Sequence, residues 1–202
     1  MHISEGILSW QVLAAGGGLA LAGTTIGLKT LDQDNMAQTG ILSAAFFVAS
    51  LIHVPLGPAS VHLILNGLVG ILLGWAAFPA ILIALLLQAV LFQFGGLTTL
   101  GVNTVIMAAP AVFCHYIYRL VSGGYKLRFA AAGFCGALAI FFSALLAAAA
   151  LVFSQRNFLE IAAVIATAHI PVMLAEGIVT GFAVVFLYKV KPSMLSWSGA
   201  DK

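Results

Sequence analysis

The chain has 202 residues, 62% of them apolar and 7% charged, with eight Lys and Arg against six Asp and Glu for a net charge of +2. A soluble domain carries roughly a quarter of its residues as charged side chains, so this chain cannot clothe itself in a water-facing surface and must present apolar side chains to lipid. The small net charge gives no ground for nucleic-acid binding.

The distribution of charge sharpens the point. No charged residue lies between Asp34 and Arg119, and the stretches 6–28 and 129–155 are also free of charge. About 20 apolar residues carry a helix across the hydrocarbon core, and lipid leaves only helices or closed barrels as spanning structures. Barrel strands alternate apolar and polar residues; the runs Ala80–Val90 and Ala144–Phe153 do not. The chain therefore reads as an all-α, multi-pass membrane protein, a single transmembrane domain over 1–202.

In chain order the helical segments fall at 6–28, 39–53, 61–77, 79–94, 104–121, 129–153 and 159–188. Between the first two lies the polar loop Lys29–Gln38. Val54–Ser60, with Pro55, Gly57 and Pro58, separates the next pair, and Gly74, Trp75 and Pro79 mark the break between two short segments. Gly95–Asn103 is polar and glycine-rich, and reads as a loop or re-entrant segment. Basic residues gather at Arg119, Lys126 and Arg128 and again at Lys189 and Lys191. Cytoplasmic loops attract such residues, so seven spans put the N-terminus outside and the C-terminus in the cytoplasm. Met1–Glu5, Val54–Ser60 and Gly95–Asn103 then share the external face.

Cys114 and Cys135 fall inside predicted spans and read as two small buried residues rather than a disulfide. The N-terminus lacks the basic region and cleavage site of a signal peptide, and the bulky His2 disfavours removal of Met1. A free amine followed by His chelates a divalent metal through the Met1 α-amine, the deprotonated His2 amide and the His2 imidazole. One further imidazole completes a planar nitrogen set that suits Ni(II) or Cu(II) better than Zn(II). His62 is the first candidate for that fourth position and His53, across the same short loop, the second. A second-position His is by itself more often a spectator, and a membrane-edge His more often a helix-end hydrogen bonder.

The opening Met1-His2-Ile3-Ser4-Glu5-Gly6 resembles the N-terminal signature of the CbiM/NikM family, the substrate-binding components of energy-coupling-factor nickel and cobalt transporters. The run Gly95-Gly96-Leu97-Thr98-Thr99-Leu100-Gly101-Val102-Asn103-Thr104 is similar as well, as is His169-Ile170-Pro171 followed by Glu176-Gly177. The resemblance spans nearly the whole chain, its length and helix count included. It implies a metal held by Met1, His2 and a histidine after the second helix, a place His62 matches. The surroundings depart from the commoner pattern, with Leu63-Ile64-Leu65-Asn66 where many relatives have small and hydroxylated residues, so His53 stays open as an alternative. The resemblance thus implies that residues 1–6 are the metal-binding segment and that Ni(II) or Co(II) is the transported substrate, with a link to cobalamin biosynthesis.

Around that site Glu5, Ser60, Thr99 and Asn103 are polar groups able to orient ligand imidazoles, Asn103 reading better as a shaper of the loop or of the N-terminal segment. His169 and Glu176 share one helix face, with a structural role preferred over gating. His115, one turn from Arg119, reads as facing the cytoplasmic interface. The pair Ala45 and Ala49 permits close helix approach, and the resemblance suggests docking of a coupling subunit there. The chain has no phosphate-binding Gly-x-x-x-x-Gly-Lys loop. The resemblance therefore implies separate ATPase subunits, a coupling transmembrane subunit and often a small accessory membrane protein, in the prokaryotic plasma (inner) membrane. Two other classes compete. A self-sufficient metal channel or carrier would work without nucleotide. An intramembrane metallohydrolase lacks the His-Glu-x-x-His and Gly-x-Ser-x-Gly motifs it would want.

Overall fold

The computed structural model describes residues 3–51, 53–56, 59–121, 123–154, 167 and 169–195, with residues 34, 53–56 and 59–62 described by their backbone alone. Among the described residues the α-helices are α1 (Trp10–Lys29), α2 (Gln33–Leu51), α3 (Asn66–Leu73), α4 (Ala77–Phe92), α5 (Leu100–Arg119), α6 (Tyr125–Ser154) and α7 (Ile170–Val190). A ribbon of two antiparallel strands, β1 (His53–Leu56) and β2 (Ala59–His62), stands between α2 and α3. Among the described residues five stretches are long and apolar enough to cross a membrane: Trp10–Lys29, Asn66–Phe92, Leu100–Arg119, Tyr125–Ser154 and Ile170–Val190. Asn35–Leu51 is a shorter apolar helix beside them.

The ribbon is a departure from the expectation of helix up to residue 53 and again from 61. Pro55 and Pro58 deny the backbone the donors a helix needs. Pairing across the ribbon satisfies amides and carbonyls that lipid cannot. The expected count of seven spans also changes in character. The eight residues of α3 reach only about 12 Å, well short of a hydrocarbon core of about 30 Å.

Side-chain contacts settle how the stretch Asn66–Phe92 runs. Along α3, Asn66 donates to the Met107 carbonyl at 3.1 Å, Gly70 packs on Ala111 and Gly74 on His115, so α3 runs parallel to α5. Along α4, the Ser43 hydroxyl donates to the Ala80 carbonyl at 2.7 Å and Gln88 donates to Ser50, so α4 runs parallel to α2. Gly27 lies on Trp75 and Gly23 on Phe78, which makes α4 antiparallel to α1. The chain therefore folds back between α3 and α4, at Gly74, whose φ is +53°. A Cβ at Gly70 would sit 2.0 Å from the Ala111 carbonyl oxygen, so α3 and α5 touch backbone to backbone.

At one end of the bundle lie residues 3–9, the ribbon, residues 93–99 and Ser154, whose hydroxyl accepts from the Ser9 amide at 3.1 Å. The other end carries Lys29, the Gly74–Ala76 turn, Arg119, Lys126, Arg128 and Lys189. There Arg128 stacks over the Tyr188 ring at 4.3 Å and Lys189 over Tyr125 at 5.1 Å. Asp32 and Asn35 exchange side-chain to backbone bonds of 3.1 and 2.9 Å and start α2 at that end.

Candidate functional site

Residues 3–5 are fastened at the ribbon end of the bundle by groups from the loop 95–99 and the first turn of α5. Asn103, 2% exposed, uses both halves of its amide on one residue. Its Oδ1 accepts from the Ile3 amide at 3.0 Å, and its Nδ2 donates to the Ile3 carbonyl at 3.1 Å. This is the bonding a neighbouring strand would offer, supplied by one side chain. Thr99, fully buried, accepts from Asn103 Nδ2 at 3.3 Å and donates to the Gly96 carbonyl at 3.3 Å, which fixes which way the amide faces.

Two residues on, the Glu5 amide donates to the Gly95 carbonyl at 3.1 Å. Its carboxylate Oε1 accepts from the Thr98 amide at 2.9 Å and from the Thr98 hydroxyl at 3.2 Å. The Thr98 amide, then its hydroxyl, hold the Glu5 carboxyl below the usual carboxylate range. Gly96 is required here: its φ is +135°, and a Cβ would lie 2.0 Å from the Glu5 Cγ. Ile3, 7% exposed, is buried in the apolar core. The segment is thus sealed by one apolar side chain and two polar clamps.

The ribbon pairs His53 directly with His62, Val54 with Val61, Pro55 with Ser60 and Leu56 with Ala59. Met1 and His2 fall outside the described residues, and of His53, Ser60 and His62 only the backbone is described. Among the described residues no group of three or more His, Cys, Asp or Glu could hold a metal. Elsewhere, Ala45 is exposed on α2 while Ala49 is buried, so only the Ala45 half of that pair is open to a partner. His169 is half-buried at the start of α7. His115 does not face the interface as expected: it is buried, with Nδ1 3.2 Å from the Ile71 carbonyl, because Gly74 lets its ring under the α3–α4 turn. Cys114 and Cys135 are free and buried.

Two features escaped the sequence reading. Thr98 is the group that holds Glu5, and Gly96 makes room for it; the adjacent pair of glycines before two threonines is the signal that could have found them. Glu176 was placed on the face of α7, but its reach to residues 64 and 65 joins sites 111 and 112 positions apart and leaves no local pattern.

These features define a class: a helical, multi-pass membrane protein whose N-terminal segment is built into one end of the bundle beside a histidine-bearing ribbon. Comparison with known proteins then makes the assignment specific. The chain belongs to the family of the cobalt uptake substrate-specific transmembrane region, CbiM, which it matches over residues 2–194. It is 41% identical to a putative metal transport protein of Haemophilus influenzae, covering 97% of each chain. It is 30% identical to a putative fused nickel transport protein, NikMN, of Archaeoglobus fulgidus, covering 99% of this chain and 70% of that one. The crystal structure of a truncated transition metal transporter superposes with a TM-score of 0.80 at 29% identity, covering 94% of this chain and 99% of the other.

Proposed function

We propose that this chain captures Ni(II) or Co(II) with high affinity, as the substrate-specific membrane subunit of an ATP-driven energy-coupling-factor importer. The ligands in this reading are the Met1 amine, the His2 amide and imidazole, and the imidazole of His62, with His53 the alternative fourth donor. The observation that supports it best is the pair of bonds from Asn103 to Ile3. A spectator terminus has no need of a buried amide devoted to one of its residues. Fixing Ile3 at both its amide and its carbonyl gives the residues before it a fixed starting point, which lowers the entropy lost when they close on a metal. The register sets the backbones of His53 and His62, the two alternative ligand residues, directly opposite each other on the ribbon.

Among the described residues the basic side chains gather at the end opposite the ribbon, and cytoplasmic ends attract Lys and Arg, so in this reading the ribbon end is external and the site takes metal from outside. ATP hydrolysis belongs to partner ATPase subunits, joined through a coupling membrane subunit for which the open side of α2 around Ala45 is the docking face. A small accessory membrane protein completes the assembly; fusion in the NikMN relative supports the idea that this subunit works joined to others.

The test compares Ni(II) and Co(II) binding by the purified chain with its native terminus and by a form carrying one extra residue before Met1. The extension displaces the amine and changes the chelate while leaving the clamps on Ile3 and Glu5 in place. Binding should collapse in the extended form and in His62→Ala. Equal binding by all three rules the terminal chelate out.

A further inference from the structure

We infer that Glu176 is a positioning residue for the metal site, because its fully buried carboxylate on α7 reaches across the bundle and holds the backbone of Ile64 and Leu65, just past His62. This rests on the reading of His62 or its ribbon partner His53 as a ligand. Glu176 Oε1 accepts from the Ile64 amide and, at 2.8 Å, from the Leu65 amide. These residues form the joint between β2 and α3. Leu65 stands there at φ +58°, a left-handed conformation that a leucine keeps only when its surroundings impose it. The carboxylate supplies that constraint.

The footing of Glu176 is rigid. Around it α6 and α7 approach backbone to backbone: a Cβ on Gly136 would lie 2.9 Å from the Glu176 carbonyl oxygen and 2.7 Å from the Thr180 Oγ1. On the other side of Gly136, a Cβ on Gly67 of α3 would lie 2.7 Å from the Gly136 Cα. Three helices thus meet one residue deep at the foot of the ribbon. Asn66, next in the chain, donates to Ser143 on α6 at 2.9 Å and to Met107 on α5, so the joint is held from three sides. A carboxylate inside a membrane is costly and tends to be functional. Glu176 spends one oxygen on the joint, and its Oε2 has no partner among the described residues. The direction of the ribbon as it leaves α3 is therefore set by α7, and a shift of α7 against α3 would carry the histidines with it.

The experiment titrates Ni(II) into the purified full chain with its native terminus, as wild type, Glu176→Ala, Glu176→Gln and Glu176→Asp, beside the double variant His53→Ala/His62→Ala. Each titration is read by affinity and by the visible d–d spectrum of the bound metal, with thermal unfolding measured without metal. Glu176→Ala should weaken binding about tenfold to hundredfold, the range found for groups that orient ligands from behind, and should shift the spectrum. Glu176→Gln keeps an oxygen for both amides and should stay within about threefold of wild type. If the alanine variant does not fold, Glu176→Asp, one methylene short of the two amides, takes its place and should show the same loss. Wild-type affinity and spectrum in Glu176→Ala, or in Glu176→Asp in its stead, overturn the assignment even where thermal stability falls. A double-histidine variant that binds as well as wild type overturns the metal reading and this inference with it. Loss in that variant beside unchanged Glu176 variants overturns this inference alone.

Discussion

Asn103 does with one side chain what a strand does with a backbone, and that makes it the most consequential residue at the described end of the site. Replacing it with alanine leaves the Ile3 amide and carbonyl without their buried partners, at about 1–3 kcal/mol. Asn103→Ala should therefore lower Ni(II) or Co(II) affinity by about tenfold to hundredfold while helix content by circular dichroism stays the same. Glu5 adds a dependence on pH whose sign follows from its lowered pKa. The bound carboxylate favours the clamped segment above the ordinary value of 4.5, and this contribution is lost as pH falls through the lower folded value. Protons compete for the proposed nitrogen ligands at milder acidity, because metal binding needs them deprotonated. Metal affinity measured from pH 8 to pH 5 should fall steadily in wild type. Glu5→Gln should fall in parallel from a lower starting affinity, since the amide is a weaker acceptor for Thr98; a flat wild-type profile would argue against nitrogen ligation.

At the scale of elements, the fold-back of α3 and α4 is the feature that gives the ribbon its place. It depends on backbone contact at Gly70, where any side chain runs into the Ala111 carbonyl. Gly70→Leu should cost about 3 kcal/mol or more, since rigid backbone on both sides cannot give way, and thermal unfolding in detergent should show it. The same change at Gly18, where a Cβ meets nothing within 4 Å, should leave stability nearly unaltered. Most of these helices were legible from their apolar, charge-free runs, and the turn at Gly74 from its glycine and the nearby proline. The ribbon was not: its eight paired residues, four on each strand, give too short a signal to stand out between the apolar helical runs on either side. The burial of His115 was hidden for another reason, since the room for its ring is made by Gly74, 41 positions away.

For the molecule as a whole, the separation of the described basic residues from the ribbon end predicts a sidedness that can be measured in cells. Cys114 and Cys135 are buried and should give little background labelling. Leu97→Cys, at an exposed position of the ribbon end, should react with a membrane-impermeant thiol reagent on intact cells. Gly124→Cys, in the loop between Arg119 and Lys126, should react only after permeabilisation. The reverse pattern would place the ribbon in the cytoplasm.

Membrane residence, helical architecture and family membership were all readable from the sequence, because each rests on local composition or on short motifs whose residues lie together in the chain. The bonds that build the site could not be read that way. Asn103 to Ile3, Thr98 to Glu5 and Glu176 to Leu65 join residues 100, 93 and 111 positions apart. Only the packing of the helices decides which distant polar groups meet. In a bundle this poor in polar side chains each such meeting counts heavily, since lipid offers an unpaired group no other partner.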